Sequence, residues 1–252
     1  MTEGQALTLL REAIGNARTT RRDPDWNRYA QIYDETVGEL APYERLIARV
    51  AELATSGIVE GRNTTFVDAA TGTGNLLSPL LSLTHRARII GVENAPGMLA
   101  RLKMKFTGSG RVTILEGDLN GSGWVEVIGE GKADVVVSVN TLYTMTHPLA
   151  FLRDARRVLR PGGRFVLSNP TTRELSPIMI DHLLAGGALT PLMIEMIEIN
   201  MDITHWGVQS GMLYHFLPAE NVFDLLKVAG FSIEAWKSDY AGVNITTVCR
   251  AF

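Results

Sequence analysis

Residues 66–77 read FVDAATGTGNLL, and this stretch decides the fold. An apolar run ends at Asp68, glycines follow at Gly72 and Gly74, and apolar residues at helical spacing come next. This order predicts a strand, a tight turn and a helix, because glycine adopts backbone angles that other residues avoid. Glycines also let a ligand approach the backbone closely, and the free amides at the start of the helix face that ligand.

A second apolar run ends at Glu93, nineteen residues after Gly74. A carboxylate at this place accepts two hydrogen bonds from a ribose diol. The other acid, Asp68, precedes the glycines, where it repels a pyrophosphate but attracts an ammonium group, directly or through water. The glycine turn and Glu93 together predict that an adenosine-containing ligand lies across the carboxyl ends of the strands.

Short β-rich runs alternate with helical stretches from residue 64 onward. The candidate strands are Thr65–Asp68, Ile89–Glu93, Val112–Glu116, Asp134–Val139 and Arg164–Ser168. Their apolar runs are continuous, which predicts strands that are buried on both faces. Strands that alternate with helices predict a parallel sheet built from right-handed crossovers.

The last residues of the sequence show a different pattern of apolar runs. The apolar runs Phe231–Trp236 and Val243–Arg250 are separated by a short turn, which predicts an antiparallel hairpin at one edge of the sheet. Helical spacing predicts helices over Leu149–Leu159 and Ala219–Ala229. The predicted fold class is therefore α/β, with a Rossmann-like, seven-stranded, mostly parallel sheet that ends in an antiparallel hairpin.

Two helical segments flank or interrupt this core. Residues 1–62 predict a helical N-terminal segment with a turn at Asp23–Asp25, and residues 63–252 predict the core. The alternation stops at residues 171–217, where prolines and methionines predict a helical insert that covers the substrate. The methionines of this insert are Met179, Met193, Met196, Met201 and Met212. We expect one integrated domain; a homodimer interface and an ordinary helical cover are the alternative interpretations of the insert.

Composition narrows the classes of function. Lys and Arg total 24 against 27 Asp and Glu, a net charge of −3, which argues against a nucleic-acid partner. The single cysteine, Cys249, cannot form an internal disulfide, so a reducing compartment fits. No apolar run approaches the roughly 18 residues of a membrane span, and the first residues lack a signal-peptide core. We expect a cytoplasmic protein with a small-molecule substrate and no membrane partner.

The order of these motifs resembles that of class I S-adenosylmethionine-dependent methyltransferases over residues 40–252. The first motif of that family, D-x-G-x-G-x-G, is matched at Asp68, Gly72 and Gly74, with Ala70 in place of the first glycine. The resemblance implies S-adenosylmethionine as cofactor and S-adenosylhomocysteine as product. Each acid alone also fits a structural role at a helix start, but in register over five strands the acids indicate the cofactor.

The resemblance also implies which residues hold the cofactor. Asp68 and the turn around Gly72 would hold the methionine part, Glu93 the ribose, and Asn140 would face the sulfonium centre. Tyr29 and Tyr33 resemble the tyrosines of an N-terminal lid that closes over the cofactor. The complete candidate set is Tyr29, Tyr33, Asp68, Ala70, Thr71, Gly72, Gly74, Glu93, Asn94, Met98, Asp118, Leu119 and Asn140. Met98 would pack on the adenine. Asp118, beside Leu119, would accept a hydrogen bond from the adenine amino group.

A general base is needed only if the acceptor must lose a proton, and several side chains are candidates. His147 follows the fourth strand on the ligand-binding side, and His205 lies beside Trp206 in the insert. The other candidates are His182, Glu195, Glu198 and His215. Because the histidines lie at no ligand spacing, we expect no metal site.

The sequence leaves the methyl acceptor open. An oxygen, nitrogen or carbon nucleophile of a small, partly apolar molecule is consistent with the apolar insert, as is a role in metabolite biosynthesis. The alternatives are a nicotinamide-dependent oxidoreductase, a non-catalytic subunit that binds an adenosyl ligand, and an enzyme that uses the cofactor for other sulfonium chemistry. The missing third glycine at Leu77 counts against the oxidoreductase.

Overall fold

The structure, a computed structural model, describes residues 1–14, 26–59, 61–209 and 215–252. The turn predicted at Asp23–Asp25 and the methionine Met212 lie outside the described residues. The helices are α1 (Glu3–Ile14), α2 (Trp26–Val37), α3 (Ala41–Thr55), α4 (Leu77–Leu83), α5 (Pro96–Phe106), α6 (Gly123–Ile128), α7 (Pro148–Val158), α8 (Ser176–Leu184), α9 (Pro191–Gln209) and α10 (Ala219–Val228). The strands are β1 (Thr64–Ala69), β2 (Ala87–Glu93), β3 (Val112–Glu116), β4 (Ala133–Val139), β5 (Leu159–Pro170), β6 (Phe231–Asp239) and β7 (Asn244–Ala251).

The strands form one seven-stranded sheet in the order β3-β2-β1-β4-β5-β7-β6. Strands β1 to β5 run parallel to one another, whereas β7 is antiparallel to both β5 and β6. The predicted fold class is confirmed, including the terminal hairpin. Because the strand order reverses between β1 and β4, a crevice opens there at the carboxyl ends of the strands.

Apolar side chains fill the space on both faces of the sheet. On one face Phe66 and Val137 belong to a core shared with α3, α4 and α5. On the other face Val67 and Phe165 pack with residues of α6, α7 and α10. Each of these four side chains is fully or almost fully buried, and each contributes roughly 1.5–3 kcal/mol by its transfer from water.

Two sequence predictions about strands are wrong in detail. Strand β3 is half exposed instead of buried on both faces, because it lies at the sheet edge and has β2 as its one neighbour. Strand β5 begins at Leu159 and not at Arg164, so it includes the last residue of the helix predicted over Leu149–Leu159 and residues 160–163. There the pairing with β4 jumps from Leu159 to Arg164, a bulge that accommodates Pro161 and the positive φ of Gly162.

Candidate functional site

A cavity of about 430 Å³ lies at the carboxyl ends of the parallel strands. Its floor comes from the turns that follow the strands, including Ala70 after β1, Glu93 at the end of β2 and Asn140 after β4. Helices α2, α8 and α9 complete its walls. The N-terminal segment and the insert therefore enclose the crevice that the strand order creates.

The glycine turn is held by its own polar groups. The Thr71 hydroxyl donates to Asp68 Oδ2 at 2.6 Å, and the Thr71 amide donates to the Val92 carbonyl at 3.0 Å. Ala70, at φ +62°, occupies the left-handed region that costs a non-glycine residue roughly 1–2 kcal/mol. This backbone requirement explains why the family motif has glycine at the position of Ala70.

The Glu93 carboxylate is fixed by three backbone amides. Gly72 donates to its Oε2 at 2.8 Å, while Asn94 and Ala95 donate to its Oε1 at 3.0 and 2.8 Å. Ala95 is the N-cap of α5, so the positive end of that helix also favours the negative charge. Carboxylate oxygens accept more than one hydrogen bond each, and Glu93 lines the cavity, so it retains capacity for a ligand hydroxyl.

The turn after β3 forms another wall of the cavity. Asp118 Oδ1 accepts from the Asn120 amide at 2.9 Å, and Asn120 Oδ1 accepts from the Thr146 amide at 2.8 Å. These bonds join the turn after β3 to the segment after β4. Met98 of α5 lies on the same cavity as Asp118 and Leu119, so predicted residues from two separate segments come together.

Asn140 is held by a polar cluster at the ends of β5 and β7. Its amide donates to the Ser168 carbonyl at 2.8 Å, and its side-chain Oδ1 accepts from Asn244 Nδ2 at 2.7 Å. Asn244 is fully buried and also donates to the Ser168 hydroxyl at 2.9 Å. Asn244 is not predictable from the sequence, because no local pattern reveals that β7 brings it beside a residue 104 positions earlier.

Helix α2 is attached at two points along its length. Arg28 donates to both Glu195 oxygens, at 2.6 and 2.7 Å, and so joins α2 to α9. Near its other end, Asp34 accepts from the Thr73 hydroxyl of the glycine turn at 2.5 Å and pairs with Lys105 at 2.9 Å. Between these points the predicted lid tyrosines, Tyr29 and Tyr33, line the cavity with their ring centroids 5.4 Å apart. The N-terminal segment is thereby tied to both the insert and the core.

Asp68 and Thr71 line a smaller space of about 50 Å³, which shares Tyr33, Ala70, Gly72 and Asn140 with the main cavity. Asp68 is 2% exposed, and burial raises the pKa of its carboxyl to about 7. The charge of Glu93 adds to this rise in pKa, and the Thr71 hydrogen bond opposes it. The carboxyl is consequently poised to ionise when a cation arrives.

Five tyrosines line the main cavity, and the sixth, Tyr214, lies outside the described residues. The lining tyrosines are Tyr29, Tyr33, Tyr43, Tyr143 and Tyr240. Burial raises the pKa of Tyr33, Tyr43 and Tyr240 above the ordinary tyrosine value. These phenols therefore stay protonated at neutral pH, so they act as hydrogen-bond donors and aromatic walls and not as bases.

The comparisons with known proteins agree with this geometry. A family model described as a methyltransferase domain matches residues 67–167. A demethylmenaquinone methyltransferase from Tropheryma whipplei is 30% identical over 217 residues, which are 84% of this chain and 84% of that protein. The chain belongs to the class I S-adenosylmethionine-dependent methyltransferases. It is accordingly an enzyme whose cofactor is S-adenosylmethionine.

Other methyltransferases share parts of this chain. The ubiquinone/menaquinone biosynthesis C-methyltransferase UbiE of Syntrophotalea carbinolica is 30% identical over 134 residues, 52% of this chain and 53% of that protein. The chain thus matches about half the length of that relative. The solved structure of the CurJ carbon methyltransferase superposes with a TM-score of 0.64 at 18% identity, over 88% of this chain and 57% of the other. At this identity the likeness concerns the fold.

The residues of this methyltransferase fit the cofactor chemically. Asp68 is a buried carboxyl whose raised pKa reflects burial and a second acid, with no cation of the described residues contributing to it. An ammonium group would compensate this carboxyl. Glu93 is an acceptor with a fixed orientation, as a ribose diol requires, and Asp118 lies on the same cavity. No described group of three His, Cys, Asp or Glu side chains is arranged to hold a metal ion.

Several sequence candidates do not reach the cavity of this methyltransferase. His147 is exposed at the N-cap of α7, and His205 lies on α9 outside the cavity lining. His182 is buried and contacts the backbone at Ala41 and Ala188, which indicates a structural role. Gly74 also lies outside the lining.

None of the helices in the described ranges is long and apolar enough to span a bilayer.

Proposed function

We propose that this enzyme transfers a methyl group from S-adenosylmethionine to a nucleophile of a small, partly apolar molecule, as a step in metabolite biosynthesis. One observation carries the proposal. The polar end of the cavity, around Glu93 and Gly72, is continuous with an apolar end formed by α8 and α9, so cofactor and acceptor share one enclosed space. A small apolar acceptor matches this space better than a charged nucleic acid does.

We propose that the polar end holds the cofactor in three parts. Asp68 attracts the ammonium of the methionine part from the adjoining small space, and Glu93 accepts from the ribose. Asp118 accepts from the adenine amino group, while Met98 and Leu119 pack on the ring. The backbone of residues 70–74 lets the ligand approach closely, and Asn140 faces the reacting centre.

Bound S-adenosylmethionine supplies a methyl group on a positively charged sulfur, which a nucleophile displaces in line. The protein then mainly has to align the reactants and exclude water. Helix α2, held by the Arg28–Glu195 ion pair and by Asp34, closes the cavity on one side. We propose that residues 1–62 and 171–217 act together as this lid, within one integrated domain.

The acceptor end is suited to an apolar body. Ile178, Met179, Met193, Met196 and Ile197 line it, and methionine side chains adapt to irregular shapes. The described lining contains no histidine, lysine or cysteine, so the acceptor is one that needs little help from a base. Because the relatives above are named as demethylmenaquinone or carbon methyltransferases, we propose carbon methylation as the first candidate and oxygen methylation as the second.

Replacing Glu93 with alanine tests both the cofactor site and the proposed activity. The variant loses the hydrogen bonds to the ribose, and we expect S-adenosylmethionine to bind on the order of tenfold more weakly or worse. The binding measurement is calorimetric titration. Glu126→Ala removes an exposed acid of α6 outside the cavity and serves as the matched control. Equal dissociation constants for the Glu93→Ala variant and the wild type would remove Glu93 from the site.

The activity test follows a radiolabelled methyl group from S-adenosylmethionine into a cell extract that has been separated by size. We expect label in the low-mass, solvent-extractable fraction with the wild type and much less with Glu93→Ala. Label that appears in protein or nucleic acid instead would contradict the small-molecule proposal. The cytoplasmic location and a homodimer formed through the insert stay predictions.

A further inference from the structure

The charges on the cavity wall are divided between its two ends. The acids Glu93 and Asp118 belong to the proposed cofactor end, whereas Arg173 lies in the segment between β5 and α8, beside the apolar acceptor end. Among the described residues Arg173 is the one basic side chain in the lining. Because β5 neighbours β4, the segment that carries Arg173 lies on the same sheet edge as Asn140.

Arg173 differs from the other arginines that position parts of this fold. Arg28, Arg160 and Arg250 each pair with a carboxylate, and Arg164 donates to backbone carbonyls. For the exposed Arg173 the described part of the chain offers neither an ion pair nor a hydrogen bond to its guanidinium. A cation at the rim of an apolar space, without a partner in the protein, is available to a ligand.

The acceptor end also lacks a group that would take a proton at neutral pH. Its titratable side chains in the described ranges, apart from Arg173, are tyrosines, and burial raises the pKa of Tyr240 further from neutrality. A nearby cation has the opposite effect on an acidic acceptor, because it stabilises the ionised form and lowers the pKa of the acceptor.

We propose that Arg173 binds an anionic oxygen group of the methyl acceptor, so that the substrates of this enzyme are acids with an apolar body. The anion is a carboxylate or an ionised phenol or enol. The planar guanidinium offers two parallel hydrogen bonds to such a group, and the apolar body lies against residues such as Ile178 and Met179. The same cation disfavours acceptors that carry an ammonium group. This inference rests on the proposed function and names the substrate class of that site.

Matched pairs of probes test the charge preference with the protein saturated with S-adenosylhomocysteine. The first pair is 2-naphthoate and neutral 2-naphthamide; the second is 2,4-dinitro-1-naphthol, which is ionised at neutral pH, and its methyl ether. We expect the wild type to bind at least one anion roughly tenfold more tightly than its neutral partner, in keeping with the strength of charge-assisted hydrogen bonds. The pair that shows the preference identifies the carboxylate or the phenolate as the source of the anion.

Variants at two arginines separate a specific contact from net charge. Arg173→Gln should abolish the preference, and Arg173→Lys should retain part of it. Arg153→Gln removes an exposed arginine of α7 outside the cavity and should leave the preference intact. Equal affinities within both pairs, binding of neither anion, or an equal loss in Arg153→Gln would overturn the proposal. Failure of S-adenosylhomocysteine itself to bind would instead overturn the proposed function.

Discussion

Replacing Asp68 with asparagine is expected to weaken the binding of S-adenosylmethionine by on the order of 10- to 100-fold at pH 8, the usual cost of losing a hydrogen bond to a charged group. Asparagine keeps an oxygen for the Thr71 hydroxyl, which donates to Asp68 at 2.6 Å, so the turn stays in place. The variant loses the negative charge that, as we propose, pairs with the ammonium group of the cofactor.

The affinity for S-adenosylmethionine should change with pH in a direction that identifies Asp68. Its carboxyl has a pKa of about 7 in the free protein, so below that pH a proton must leave before the ammonium can be paired. Affinity for S-adenosylmethionine should therefore fall by up to about tenfold for each pH unit below 7. Calorimetry between pH 5.5 and about 7.5 should show this slope in the wild type and lose it in Asp68→Asn. A slope that persists in the variant would assign the titration to another group.

The same substitution should stabilise the free protein at high pH. The pKa of Asp68 is higher in the folded chain, about 7, than its ordinary value of 3.8, so the folded state binds this proton more tightly. Binding of this proton stabilises the folded state fully below the unfolded pKa. The stabilisation is lost as pH rises through 7, because the folded state then holds a buried negative charge on Asp68. At pH 8 the Asp68→Asn variant should unfold with a free energy larger by on the order of a few kcal/mol.

Urea denaturation at pH 8 measures this gain, and Asp224→Asn, which removes an exposed acid of α10, is the matched control. A variant that is less stable than the wild type at pH 8 would show that the Asp68 charge is compensated in the free protein.

Replacing Gly74 with alanine is expected to destabilise the fold by roughly 2–5 kcal/mol. Gly74 has φ +85°, a conformation that costs an alanine about 1–2 kcal/mol. An added Cβ would lie 2.6 Å from the Phe106 ring and 2.7 Å from Leu102 Cδ1. Both side chains are buried, so overpacking adds roughly 1–3 kcal/mol.

Gly72→Ala separates strain from packing. Gly72 also has positive φ, at +57°, but a Cβ there would meet no atom within 4 Å. We expect it to lose about 1–2 kcal/mol, clearly less than Gly74→Ala. Urea denaturation of both variants measures the difference. Equal losses of stability would show that Phe106 and Leu102 move aside for the added methyl group. Packing would then not be the reason for glycine at position 74.

The parts of the fold and site that were predictable have local sequence signals. The glycine turn, Glu93 at the next strand end and Asp118 at the third each follow an apolar run, and parallel strands bring their carboxyl ends together. Ten of the thirteen predicted cofactor residues line the main cavity, and Asp68 and Thr71 line the small space beside it. Their roles stay a proposal, because geometry alone does not show a ligand.

Other residues of the site have no local signal. Tyr43, Tyr240 and Asn244 enter the cavity from α3, from the turn after β6 and from β7, and this packing depends on the whole topology. His147 and His205 are candidates by residue type and by their place after a strand or in the insert. The structure leaves both outside the lining, because short-range position does not determine which way a side chain faces.

Calorimetric titration of the purified enzyme with S-adenosylhomocysteine and, in parallel, with NADH is the most direct test of the proposed site. S-adenosylhomocysteine carries the ammonium, ribose and adenine groups that Asp68, Glu93 and Asp118 are proposed to hold. We expect saturable binding of S-adenosylhomocysteine at one site per chain and no heat from NADH. Protein that is free of carried-over ligand and binds NADH, or binds neither compound, would contradict the proposed cofactor site.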